Sequence, residues 1–139
     1  LTVNDWKGAE LGDLVRRQLA PYVSRIHSRI DIQGPKVQLP ADYAVPFSLI
    51  FNELASNALK HGALSNGSGN VSLSWTLAIV HGGPPRLFVR WEEHVIGASL
   101  QPGPDAFGAK LIDKSLAEAN VTRVYRREGL LCSIDVILT

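Results

Sequence analysis

One stretch of the sequence decides the fold, and it reads Asn52-Glu53-Leu54-Ala55-Ser56-Asn57-Ala58-Leu59-Lys60-His61. This stretch and the residues before it carry apolar side chains at helical spacing, namely Phe47, Ile50, Phe51, Leu54, Ala55, Ala58 and Leu59. The pattern predicts a helix over residues 43–61 that packs this face into a core. Asp42 suits its N-cap, Pro46 falls in or near its first turn, and Gly62 is placed to end it.

Polar side chains form a second stripe beside this apolar face. Glu53, Asn57 and either Lys60 or His61 are three or four residues apart, so a helix brings them to one side. A carboxylate and a carboxamide offer the hard oxygen ligands that suit Mg²⁺, and the two basic side chains can donate to phosphate. The same spacing is typical of a solvated stripe on any amphipathic helix, so spacing alone leaves both interpretations open.

Two further helices are expected on either side of this one. Apolar residues at helical spacing predict a first helix over residues 9–26 and a third helix over residues 108–119. The stretch over residues 95–107 is rich in Gly, Pro, Ser and Ala, and it is predicted to be a loop.

Strands are indicated by alternating apolar runs. The runs at 29–33 and 37–39 flank Gly34-Pro35 and predict either a hairpin or a strand and a turn. Two hairpins are predicted further on, from the runs at 71–75 and 87–91 and from those at 121–125 and 132–138. Trp75 and Trp91 lie on alternating strands and are expected in the core rather than in a ligand pocket. Strands that come as hairpins favour an α+β domain with a mostly antiparallel sheet and about three helices on one face.

The composition narrows the functional class. The 139 residues predict one domain over 1–139, and a net charge of +1 gives no reason to expect a nucleic-acid binder. Cys132 is the one cysteine, so no intrachain disulfide is expected, and the four histidines lack metal-ligand spacing. No apolar stretch approaches the length of a membrane span, so no membrane contact by this domain is expected. A chain that begins with Leu1 and contains no Met is expected to be a fragment of a longer bacterial protein, cytoplasmic itself, whose parent is soluble or membrane-attached.

The stretch from Asn52, continued by Gly62-Ala63-Leu64-Ser65, resembles the N box of histidine kinases in the GHKL ATPase superfamily, most closely the HWE type. Further motifs fall in the order of that family and extend the resemblance over nearly the whole chain. They are Trp6, Leu19-Ala20-Pro21-Tyr22, Gly34-Pro35-x-Val37-x-Leu39-Pro40, Gly69-x-Val71-x-Leu73-x-Trp75, Trp91-x-Glu93 and Phe107-Gly108-x-x-Leu111-Ile112. The resemblance implies a Bergerat-type two-layer fold that binds ATP with Mg²⁺.

The resemblance also implies residue roles. It makes Asn57 the Mg²⁺ ligand and Glu53 the acidic catalytic residue near the transferred phosphate. Lys60 and His61 would contact phosphate or ribose, and Glu93 would recognise adenine. The remaining ATP-binding positions implied are Gly97, Phe107, Gly108 and Leu111, where Gly108 begins a helix whose amides receive phosphate. The implied partners are phospho-acceptor helices of the same protein, which carry the acceptor His outside this chain, and a response regulator.

Three features depart from the family pattern. Asn52 stands where the HWE type has His, and Ala106 replaces a glycine. His94-Val95-Ile96-Gly97 replaces the glycines and proline that usually follow Glu93. Two alternatives to the kinase domain follow from the same fold. One is a nucleotide-free domain of a phosphotransfer or adaptor protein that docks a response regulator, and the other is a serine kinase of the anti-sigma type.

Overall fold

The chain folds into helices packed on one five-stranded sheet, in a computed structural model that describes residues 8–25, 29–65, 69–79, 81–95 and 119–138. The elements in chain order are β1 (Ala9–Glu10), α1 (Leu11–Arg25), β2 (Ile30–Gln33), β3 (Gln38–Leu39), α2 (Ala41–His61), β4 (Asn70–Ala78), β5 (Arg86–His94), β6 (Asn120–Arg126) and β7 (Gly129–Ile137). The predicted third helix and most of the predicted 95–107 loop lie outside the described residues.

The large sheet has the strand order β2-β4-β5-β7-β6. Only the β2–β4 pairing is parallel, and the other three pairings in this sheet are antiparallel. The hairpins predicted for β4–β5 and β6–β7 are therefore confirmed, as is the mixed, mostly antiparallel α+β class. The hairpin alternative for the two runs around Gly34-Pro35 is wrong, because β2 pairs with β4 and β3 pairs with β1.

Helix α2 begins two residues earlier than the sequence predicts. Its N-cap is Pro40, which makes no side-chain cap hydrogen bond, so the N-cap role expected for Asp42 is wrong. Asp42 lies in the first turn, where a negative charge favours the helix dipole. The earlier start also leaves Pro46 inside the helix, past the first turn, where its missing N–H removes one helical hydrogen bond.

The far end of α2 follows the prediction, because its last residue is His61 and Gly62 is its C-cap. Helix α1 starts at Leu11 rather than at Ala9. The helix starts later because Ala9 and Glu10 form a two-stranded ribbon with Leu39 and Gln38, which are distant in sequence.

One apolar core lies between the helices and the inner face of the sheet. Its inner-face strand residues alternate along β4, β5 and β7, and they are Val71, Leu73, Trp75, Leu87, Val89, Trp91, Leu130, Cys132, Ile134 and Val136. Trp75 and Trp91 are 3% and 1% exposed, so their prediction as core residues is confirmed. From α2, Phe47 and Phe51 stack with ring centroids 5.7 Å apart. Within the described ranges, no helix is both long and apolar enough to cross a membrane.

Candidate functional site

The polar stripe predicted on α2 is present on the helix. Glu53 and Asn57 are half-buried, whereas Lys60 and His61 in the last turn are exposed. The apolar face of the same helix is buried through Phe47, Ile50, Phe51, Leu54, Ala55 and Ala58. We call the four polar residues the α2 ridge. It runs from a carboxylate through a carboxamide to two basic groups, so its charge becomes more positive toward the helix C-terminus.

Within the α2 ridge, the side-chain oxygen of Asn57 gives the clearest indication of a ligand. Its carboxamide oxygen Oδ1 is buried and has no hydrogen-bond partner among the residues that the structure describes. A buried polar atom without a partner destabilises a fold by about 1–3 kcal/mol, and a bound ion is one of the groups that can satisfy it. An amide oxygen is also a hard ligand of the kind Mg²⁺ takes, together with phosphate oxygens and water. Asn57 Oδ1 therefore fits the Mg²⁺ role that the sequence suggests.

The chain just beyond α2 is held by several hydrogen bonds. The amides of Gly62 and Leu64 both donate to the carbonyl of Ala58 at 3.0 Å. Ser65 Oγ donates to the carbonyl of Gly62 at 2.6 Å. Arg29, the residue before β2, also reaches this region, and its Nη2 donates to the carbonyl of Leu64 at 3.4 Å. These contacts give the end of the ridge a defined geometry.

Glu93 connects this turn to the sheet. Its Oε1 accepts the backbone N–H of Ala63 at 3.0 Å, and its Oε2 accepts Trp91 Nε1–H at 2.9 Å. The residue is 2% exposed. Burial raises the pKa of the Glu93 carboxyl, and the hydrogen bonds from Trp91 and Ala63 only partly oppose that rise. The structure thus brings the Trp-x-Glu motif against the end of the N-box helix.

Two glycines pack closely against Glu93, Gly62 against its carboxylate and Gly129 against its backbone. A Cβ on Gly62 would lie 2.2 Å from Glu93 Oε1. A Cβ on Gly129 would lie 1.8 Å from the Glu93 carbonyl oxygen, and Gly129 has a φ of 142°, which L side chains rarely adopt. Glu93 is therefore enclosed by neighbouring backbone as well as hydrogen-bonded.

The remaining predicted ATP-binding residues and the cavity beside α1 show no contact with the α2 ridge among the described residues. Gly97, Phe107, Gly108 and Leu111 lie outside the described residues, so their predicted nucleotide contacts stay predictions. The adenine role of Glu93 also stays a prediction, although its carboxylate faces protein donors. A separate cavity of about 860 Å³ lies beside the N-terminal half of α1, and its described lining includes Arg16, Lys36 and Trp75 but no residue of the α2 ridge.

Sequence reasoning missed the partners of Glu93. The Ala63 amide, the donor role of Trp91 and the close approach of Gly62 were not anticipated. One signal was available, because Leu87, Val89, Trp91 and Glu93 alternate along one strand and so share its buried face. An acidic residue in that series needs interior donors.

Comparisons with known proteins agree on one family. A model described as HWE histidine kinase matches residues 1–36. A blue-light-activated histidine kinase of Brucella ovis is 34% identical over 140 residues, which cover 99% of this chain and 28% of that protein. One from Rhizobium johnstonii is 31% identical over 143 residues, covering 98% of this chain and 39% of that protein. The chain thus spans well under half of the length of these relatives.

A solved structure matches the fold. It is the histidine kinase domain of the Erythrobacter litoralis EL346 blue-light activated histidine kinase, with a TM-score of 0.68 and 22% identity. The match covers 95% of this chain and 63% of that one. At this identity the likeness concerns the two-layer fold, and the site rests on the residues described above.

Proposed function

We propose that this chain, which belongs to the HWE-type histidine kinases of the GHKL superfamily, binds ATP with Mg²⁺ and presents its γ-phosphoryl group to a histidine on a separate dimerisation domain. The observation that carries the proposal is Asn57 Oδ1, a buried oxygen without a described partner on the polar side of α2. Coordination of Mg²⁺ by this oxygen would explain why the fold tolerates it without a hydrogen bond.

The α2 ridge supplies the groups for this function. Asn57 would hold Mg²⁺, which when bound neutralises phosphate charge. Glu53, one turn before Asn57, is the acidic group nearest the reacting phosphate in our proposal. Lys60 and His61, exposed one turn after Asn57, donate to phosphate or ribose oxygens. Phosphoryl transfer of this kind depends on positioning and charge neutralisation rather than on covalent chemistry by the protein.

The reaction itself is a displacement at the γ-phosphorus. A nitrogen of the acceptor imidazole forms the new P–N bond, the bond to the β–γ bridging oxygen breaks, and ADP leaves. The acceptor belongs to the dimerisation helices of the parent protein, and a response regulator receives the phosphoryl group next. Because ATP is a cytoplasmic metabolite, we propose that the domain works in the bacterial cytoplasm.

A second candidate is a nucleotide-free domain that docks a response regulator. One observation favours it, namely that the proposed adenine-recognising carboxylate of Glu93 is enclosed and already accepts two protein donors. The unusual His94-Val95-Ile96-Gly97 segment fits the same reading. The unpaired oxygen of Asn57 favours the kinase domain, since Mg²⁺ would coordinate it there.

Calorimetric titration with Mg-ATP separates the two candidates. The parent chain is expected to bind, and Asn57→Ala to bind at least about tenfold more weakly, as for the loss of a contact to a charged ligand. Asn120→Ala is the matched control, because Asn120 is an exposed amide on the opposite face of the sheet. It is expected to keep the parent affinity within about twofold. No heat at millimolar nucleotide for the parent would leave the docking domain as the better account.

A further inference from the structure

Arg29 lies where the sheet meets the end of α2. It is the residue before β2, and it is half-buried. Its side chain donates to two main-chain carbonyls, from Nη1 to that of Gly69 at 3.1 Å and from Nη2 to that of Leu64 at 3.4 Å. Leu64 follows α2 and Gly69 precedes β4, so the guanidinium bridges the two ends of the connection between these elements.

The shape of the guanidinium suits this bridge. Its N–H groups are held in a rigid planar fork, so two of them can donate to different acceptors at the same time. A hydrogen bond from a charged donor is roughly twice as strong as one between neutral groups. A lysine offers one flexible nitrogen instead, so it can replace one of these bonds but does not hold two carbonyls at a fixed separation.

On the α2 side, the bridge acts on the last turn of the helix. The amide of Leu64 donates to the carbonyl of Ala58 at 3.0 Å, while the carbonyl of Leu64 accepts from Arg29. Both main-chain polar groups of Leu64 are therefore bonded, and the residue is 3% exposed. Lys60 and His61, the basic groups of the α2 ridge, lie between Ala58 and Leu64 in the chain. Arg29 thus restrains the segment that carries them.

On the sheet side, the same residue acts on the end of β5. The carbonyl of Arg29 accepts the amide of Val71 at 2.9 Å, which fixes the start of β4. Val71 pairs with Glu93 in the sheet. The backbone at Gly69 also packs against β5, since a Cβ on Gly69 would lie 2.7 Å from the carbonyl oxygen of His94. The bridge therefore includes the strand that ends beside the predicted adenine-recognising residue.

We propose that Arg29 is a positioning residue of the nucleotide site, which holds the end of the α2 ridge against the strand that carries Glu93. The predicted phosphate donors Lys60 and His61 lie on one side of this bridge, and Glu93 lies on the other. In these roles one nucleotide contacts both sides, because its phosphates and its base are opposite ends of one molecule. This inference rests on the proposed function for its effect on binding, whereas the bridge itself exists without nucleotide.

Hydrogen exchange of backbone amides, in the full chain without nucleotide, tests the bridge. Arg29→Ala removes both side-chain bonds, so the amide of Leu64 is expected to exchange about tenfold faster as the end of α2 opens locally. Ala55, in the middle of α2, is the internal reference, because its amide reports the stability of the whole fold. Arg17→Ala is the matched control, since Arg17 is an exposed arginine on α1. It should leave the exchange of Leu64 within about twofold of the parent.

Calorimetry with Mg-ATP tests the positioning role. It is carried out below the melting temperature of each variant, where all chains are folded, so a residue that only stabilises the fold leaves the measured affinity unchanged. We expect about tenfold weaker binding for Arg29→Ala, an intermediate loss for Arg29→Lys, and an affinity within about twofold of the parent for Arg17→Ala. If Arg29→Ala does not fold, Arg29→Lys carries both measurements, with changes of the same sign and smaller size.

Each outcome decides a stated part of the proposal. Exchange of Leu64 that is unchanged on substitution of Arg29, or that rises no more than that of Ala55, overturns the bridge. Unchanged Mg-ATP affinity in the same variant overturns the positioning role. If the parent itself does not bind Mg-ATP, the proposed function fails, and the Leu64 amide still decides whether Arg29 holds the end of α2.

Discussion

Removal of the Asn57 carboxamide is expected to raise the stability of the fold while it weakens Mg-ATP binding by at least about tenfold. Most substitutions of a half-buried residue destabilise a protein, so the opposite sign is informative. The reason lies in Oδ1, which is buried and has no described partner in the folded chain but is hydrated when the chain unfolds. Asn57→Ala deletes this unfavourable atom.

The magnitude follows from three contributions. Removal of an unsatisfied buried oxygen gains about 1–3 kcal/mol. Alanine in place of asparagine within a helix gains about 0.6 kcal/mol, and the lost packing of the side chain opposes both by about 1–2 kcal/mol. The net gain is about 1 kcal/mol. An unfolding entropy of about 2.1 cal/mol/K per residue gives about 0.3 kcal/mol/K for 139 residues, so Tm rises by about 3–4 °C.

Thermal and chemical denaturation without nucleotide measure this change. Ser56→Ala is the matched control, since it makes a similar helix-propensity gain at the neighbouring position of α2 and leaves Asn57 Oδ1 in place. Asn57→Ala should be more stable than this control as well as the parent. A fall in Tm of several degrees would mean that Oδ1 has a stabilising partner, and the reasoning that makes it a ligand atom would then be refuted.

Three further predictions concern the neighbourhood of Glu93. The pKa of the Glu93 carboxyl is raised in the folded state, so the folded chain binds this proton more tightly than the unfolded chain does. The parent should therefore lose stability relative to Glu93→Gln as the pH rises from the ordinary glutamate pKa through the raised one. Urea denaturation at a series of pH values measures this difference. Partial burial acts to raise the pKa of Glu92, but the hydrogen bond from Arg126 and the charges of Arg90 and His94 lower it on balance. Glu92 should thus stabilise the fold at neutral pH and cease to do so as pH falls through its lowered pKa, a dependence that Glu92→Gln removes. Gly62→Ala should lower the free energy of unfolding by about 1–3 kcal/mol and perturb the Ala63 amide in NMR spectra, because its Cβ displaces the Glu93 carboxylate.

Local patterns predicted the parts of the fold that local physics determines. The apolar spacing of α2 and the glycine after His61 set that helix end, and alternation with turn residues set both hairpins. The errors arose where distant strands pair. The sequence around Ala9 is compatible with a helix, but Ala9 pairs with Leu39 in the two-stranded ribbon. Strand β2 pairs with β4 and not with β3, the next strand in the sequence.

The candidate site likewise has a part that the sequence predicts and a part that depends on long-range contacts. The α2 ridge could be predicted because it depends on spacing within one helix, and the resemblance gave its residues their chemistry. The link from Glu93 to Ala63 joins residues 30 positions apart and depends on how the helix end meets the sheet. Spacing within one strand could place Glu93 inside but could not name its donors.

Titration of the parent chain with ATP, in the presence of Mg²⁺ and again with the metal chelated, tests the central claim most directly. We expect saturable binding with Mg²⁺ and a large loss of affinity without it, since in our proposal Asn57 contacts the phosphates through the metal. Binding that is absent at millimolar nucleotide, or that is indifferent to Mg²⁺ and to Asn57→Ala, would contradict the account.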